Sequence, residues 1–136
     1  MLRVARYLGL LIVFTWFMFG GVSHFTNVDL FLAIVPPYVP FPLAAVYVSG
    51  VFEVLFALGI LIPLTRQWSG NLLMLLTLAV TPANVHMWLH PELFPDVSPT
   101  LLSTRLVIQV LLLGLIWWST RTPTTLPASA TDPVRV

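Results

Sequence analysis

The sequence predicts an all-α fold, a bundle of four transmembrane helices with a short interfacial helix between helices 1 and 2. Three observations predict it. Of the 136 residues 58% are hydrophobic and only 8% charged, whereas a soluble domain carries about 25% charged residues to cover its surface. The apolar residues gather in four runs, residues 7–24, 43–63, 70–89 and 101–118, each close to the ~20 residues a helix needs to cross the hydrocarbon core. A single acid, Glu53, lies about halfway along the second run. An acidic residue at the centre of a membrane helix costs roughly 2.5–3.5 kcal/mol on insertion scales, so Glu53 is expected to face protein or water and to have a partner.

Composition also removes several function classes. The formal net charge of +1 leaves no electrostatic footprint for nucleic acid. The chain has no cysteine, which excludes disulfides, thiolate nucleophiles, Cys-ligated metals and iron–sulfur clusters within it. All six basic residues are arginine, so a lysine Schiff base is excluded as well.

Arg3 and Arg6 precede the first run. A basic flank and an apolar stretch also describe a signal peptide, but this run exceeds the usual ~7–15 residues of a signal core. Three further spans follow it, and a retained first helix is expected. From Phe25 to Pro42 the chain stays apolar but is broken by Pro36, Pro37, Pro40 and Pro42. Thr26 or Asn27 can cap a short helix with Asp29 in its first turn, where an acid meets the positive end of the helix dipole. Pro36-Pro37 ends that helix, and Tyr38 and Phe41 fall at headgroup level.

The second span, 43–63, leads into the polar turn Thr65-Arg66-Gln67-Trp68. The third, 70–89, has Ser69 as its expected N-cap and Pro82 inside it, which removes a backbone donor and kinks the helix. His90-Pro91 closes it. In the next connection Ser98-Pro99 reads as an N-cap followed by proline at the first helical position, opening the fourth span, 101–118. Residues 1–119 make up the expected membrane domain. Residues 120–136, rich in Thr, Ser and Pro, are expected to be a disordered cytoplasmic tail.

Four spans put both termini on one side. Arg3, Arg6, Arg66 and Arg121 fall on that side, while the opposite loops carry Asp29, Glu92 and Asp96 and no basic residue. The positive-inside rule then predicts a protein of the cytoplasmic (inner) membrane with both termini cytoplasmic.

With this topology every span contributes polar groups to the same, outer half of the bilayer. His24 ends the first helix. Ser49 and Glu53 lie one turn apart on the second, Asn84, His86 and His90 follow the proline of the third, and Arg105 and Gln109 lie one turn apart on the fourth. Intramembrane ionisable groups face the bundle interior and pair with one another, so Glu53 and Arg105 are the expected pair and the candidates for any catalytic role. His24, Ser49, Asn84, His86 and Gln109 are candidate ligand-binding residues. The alternative reading is that the polar pair only fixes helix register. His24, His86 and His90 are three imidazoles without a carboxylate spaced as a fourth ligand, and no metal site is expected. Asn84 and His86, about 200° apart on a regular helix, cannot both face the bundle centre.

Four motifs, Gly20-Gly21-x-x-His24-Phe25, Ser49-Gly50-x-x-Glu53, Pro63-x-Thr65-Arg66 and Pro82-Ala83-Asn84-x-His86-Met87, together resemble the pattern of the DoxX-like small integral membrane proteins over roughly Tyr7 to Trp118. The resemblance implies a four-helix membrane bundle with His24, Glu53, Asn84 and His86 as its polar site. Because the family's named member is a small subunit of a thiosulfate to quinone oxidoreductase, it also implies a redox or quinone connection. The bundle is broadly similar to the vitamin K epoxide reductase architecture too, but that chemistry needs a cysteine pair, which this chain lacks. The expected function is a DoxX-like membrane protein with a polar intramembrane pocket in its outer half, built around Glu53 and Arg105, as a quinone- or lipophile-binding, redox-associated membrane subunit, with quinone as the candidate cofactor and the electron donor on a partner. The alternatives are a non-catalytic accessory or assembly membrane protein and an oligomeric small-molecule transporter. Expected partners are the lipid bilayer, a lipophilic small molecule, and a membrane protein or a second copy of the chain.

Overall fold

A computed structural model describes residues 1–121. The tail expected beyond that point lies outside the described residues. The chain forms α1 (Leu2–Thr26), α2 (Val28–Ile34), α3 (Pro42–Leu61), α4 (Arg66–Ala79), α5 (Thr81–Leu89) and α6 (Pro99–Thr120), with one 3-10 turn at Pro91–Leu93. Four segments, α1, α3, α4 with α5, and α6, are long and apolar enough to cross a membrane. Large apolar side chains such as Leu8, Leu55, Leu75 and Leu111 point outward from them, an outer surface that only lipid can solvate. The protein is a multi-pass membrane protein.

The helix ends follow from local chemistry. The short α2 carries Asp29 in its first turn and stops at Val35 ahead of Pro36-Pro37. The Ser98 hydroxyl accepts the Leu101 amide, with Pro99 opening α6. The third span starts four residues earlier than its apolar run. Ser69 is therefore not its cap but a buried residue facing Gly59, while Thr65 holds the N-cap position and turns its hydroxyl back to the Gly59 carbonyl at 2.8 Å. Likewise α6 continues to Thr120, whose hydroxyl donates to the Ile116 carbonyl at 2.7 Å, so the first residue assigned to the tail belongs to the bundle. The kink expected from Pro82 is a full interruption: α4 ends at Ala79, Val80 links, and α5 begins at Thr81 with the proline in its first turn.

α1 packs between α3 and α6, and α4 closes the square by packing on the same two helices. α5 leaves this square and packs on α6 and α2. Small residues set a close approach between α1 and α3. A Cβ on Gly21 would come within 3.0 Å of the Gly50 carbonyl oxygen, and one on Gly50 within 2.6 Å of His24 Cβ, so both glycines are needed for the two backbones to meet.

Two apolar cores result. One, at the end of the bundle where Arg6 donates to the Arg121 carbonyl at 2.7 Å, is built from Leu10, Val13, Ala57, Ile60, Leu73 and Ile116. The other joins α2, α5 and α6 through Ile34, Met87 and Leu102. The start of α1 and the end of α6 thus lie side by side, and the space between the two cores is not filled.

Candidate functional site

That space is a cavity of about 980 Å³, and its wall is apolar apart from a few convergent side chains. All four spans contribute to it. α2 and the segment after it close one end with Phe31, Ile34 and Tyr38, while Leu11, Ile12, Trp16 and Phe19 of α1 both line it and remain exposed. The cavity is consequently open sideways, toward the surface that faces lipid.

One polar group of the wall sits where α1 meets α3. The close glycine contact brings His24 of α1 against the first turns of α3, where its Nδ1 lies 2.8 Å from the Val46 carbonyl and 3.0 Å from the Ser49 hydroxyl. Ser49 in turn donates to the Val46 carbonyl at 2.9 Å. A carbonyl can only accept, so Nδ1 carries a proton and Nε2 is left to face Glu53, with its Oε1 at 3.7 Å. Glu53 keeps 8% and His24 6% of its exposure. Gly20 completes the setting, since a Cβ there would come within 2.9 Å of Glu53 Oε2.

The second polar group joins α5 to α6. Arg105 Nη2 donates to Asn84 Oδ1 at 2.8 Å, Asn84 Nδ2 donates to Gln109 Oε1 at 2.6 Å, and Gln109 Nε2 donates to the Thr81 hydroxyl. Thr81 passes the sequence on to the Thr77 carbonyl at 3.0 Å, across the break between α4 and α5. This ladder occupies the polar atoms exposed by the interrupted helix, as membrane interiors require. It also holds the guanidinium at the cavity wall.

The residues expected from the sequence are thus mostly brought together, in different pairs. Glu53 does not pair with Arg105. Its ion-pair partner is His24, because the glycines draw α1 onto α3, whereas α5 leans on α6 and presents Asn84 to Arg105. His24, Ser49, Asn84 and Gln109 line the cavity. His86 does not. Two residues on from Asn84, it lies outside the cavity wall, with its ring against that of His90, centroids 4.7 Å apart and planes tilted by 50°, and His90 Nδ1 in turn donates to Glu92 Oε1 at 3.0 Å. His24 is therefore separated from the other two imidazoles. Among the described residues no group of three or more His, Asp or Glu is placed so that it could hold a metal ion. Sequence reasoning missed Thr77 and Thr81. Their signal was their spacing of four beside Pro82 in an otherwise apolar run.

No curated protein and no solved structure matches the chain. Residues 13–121, which hold every side chain of this cavity wall apart from Leu11 and Ile12, match the family defined as Domain of unknown function (DUF8561), and the chain belongs to that family.

Proposed function

We propose that this protein binds a lipophilic small molecule, a quinone or another lipophile, which it takes from the bilayer through the side of the bundle. The observation that carries the reading is the cavity of about 980 Å³, open beside α1 and mostly apolar, with Arg105, the amide ladder and the His24–Glu53 pair among its few polar groups. Ligand sites have this construction, apolar walls for affinity and a few placed polar groups for orientation. Arg105 is the donor for a carbonyl oxygen of the ligand, and Glu53 with His24 is the local source or sink for a proton. The resemblance to the DoxX-like proteins favours a role as a redox-associated membrane subunit, with the electron donor on a partner. The arginines at one end of the bundle favour placing both termini in the cytoplasm, which puts the cavity in the outer half of the cytoplasmic membrane.

The test is extraction and mass spectrometry of small molecules from gently purified protein, wild type beside Glu53→Gln. A quinone or other lipophile enriched over bulk lipid in the wild type and lost from the variant is the expected result. Bulk lipid alone in both samples would leave the polar groups a structural role and make the chain an accessory membrane protein.

A further inference from the structure

Arg105 holds the one charge on the cavity wall that no charge of opposite sign contacts among the described residues. The ion pairs among those residues are His24–Glu53 and His90–Glu92, so no carboxylate reaches the guanidinium. Its Nη2 is spent on a neutral acceptor, Asn84 Oδ1, and its Nε is buried with no acceptor at all. A half-buried guanidinium whose Nε is shut away without an acceptor is costly unless a further acceptor arrives.

The ladder does not provide one. Asn84 Oδ1 and Gln109 Oε1 each accept one bond, from Arg105 Nη2 and Asn84 Nδ2, and neither oxygen lies within hydrogen-bond reach of Nε. The His24–Glu53 pair does not cancel the charge either. With one proton between Nε2 and Oε1 the pair is neutral as a unit, whichever atom holds it. With none, two lone-pair-bearing atoms would face each other at 3.7 Å in apolar surroundings. The cavity wall as a whole is therefore positive.

Resting on the lipophile-binding reading above, we infer that the ligand is a lipophilic anion, an aliphatic chain ending in a carboxylate or phosphate, with its head on Arg105 and its chain running beside α1. The guanidinium offers Nε and its second terminal nitrogen to such a head, in the charge-assisted geometry arginine makes with both groups. The chain has room as well. Roughly 20 Å of helix separates His24 from Leu11, and Phe19, Trp16, Ile12 and Leu11 line that length up to the lateral opening.

The test uses the full chain in a non-ionic detergent, titrated with hexadecyl phosphate, palmitate and hexadecanol and read by native mass spectrometry. Both anions should bind at least ~10-fold more tightly than the alcohol. That advantage should vanish in Arg105→Gln and survive in part in Arg105→Lys. Phosphate ranking above carboxylate points to a phospholipid head, and the reverse order to a free fatty acid. Equal binding of alcohol and anions by the wild type overturns the inference and leaves a neutral lipophile as the ligand. Absence of binding by all three removes the lipophile reading with it. The wild-type comparison decides between these outcomes without relying on the folding of either variant.

Discussion

His24 Nε2 stands 3.7 Å from Glu53 Oε1 across the contact of α1 with α3, while the opposite edge of the same imidazole is held 2.8 Å from the Val46 carbonyl. A backbone acceptor on one side and an acid on the other fix both the ring's orientation and the nitrogen it presents to the cavity. The acid is thus served by a residue that is itself locked in place.

Removing the acid leaves Nε2 without its partner in a buried site. Glu53→Ala is expected to cost about 1–3 kcal/mol, seen as a clear drop in thermal midpoint in detergent. Glu92→Ala, at an exposed residue beyond the third span, should stay within about 0.5 kcal/mol of wild type. Equal midpoints for the two variants would refute the buried-pair description.

The α1–α3 contact has no room for added volume. Gly50→Leu should destabilise by about 1–3 kcal/mol, since even a Cβ would meet His24 Cβ at 2.6 Å and the Gly21 carbonyl oxygen at 3.1 Å. Gly114→Leu is the control, because nothing lies within 4 Å of a Cβ there. Chemical denaturation of the two variants side by side checks the difference, and similar losses would mean that the helices do not meet at Gly50.

Much of this was readable from residue order. Span number, the proline break, the Ser98 cap and the gathering of His24, Ser49, Glu53, Asn84, Arg105 and Gln109 at one depth all follow from periodicity and counting along helices. Partner choice does not. Depth along a helix says nothing about rotation around it, and the preference for His24 over Arg105 depends on Gly21 and Gly50 letting α1 meet α3 at the level of Glu53. His86 was lost for the complementary reason, since only one of two residues about 200° apart can face inward. A polar pocket around Glu53 and Arg105 was expected from those residues, but the size of the cavity and its lateral opening had no signature in the sequence, because they arise from α5 leaving the square.

The amide ladder is expected to act as a unit. Asn84→Leu and Gln109→Leu each strand a partner, and a double-mutant cycle should give a coupling of about 0.5–1.5 kcal/mol, within the range of interhelical hydrogen bonds in membranes. Additive losses would show that Asn84 and Gln109 do not interact.

Outside the spans, Glu92 gives a pH dependence with a defined sign. Its own backbone amide and the ring of His90 stabilise the carboxylate and hold its pKa below the ordinary glutamate value. A carboxyl depressed in the folded state favours folding above its unfolded value, and that contribution disappears as the pH falls through the folded one. For so exposed a group the effect on stability is small. In an NMR titration the Glu92 midpoint should lie below that of a free glutamate and rise in His90→Ala, and an unchanged midpoint would exclude the contact.

The glycine-lined contact also bears on how the chain reaches its place. α1 is synthesised before α3, so Gly20, Gly21 and His24 precede Glu53 into the membrane, and the helix carrying the acid arrives beside a surface shaped to receive it. The least lipid-compatible residue of the second span can then enter the bilayer as half of a helical hairpin, sheltered by its neighbour from the start rather than rescued after the bundle closes.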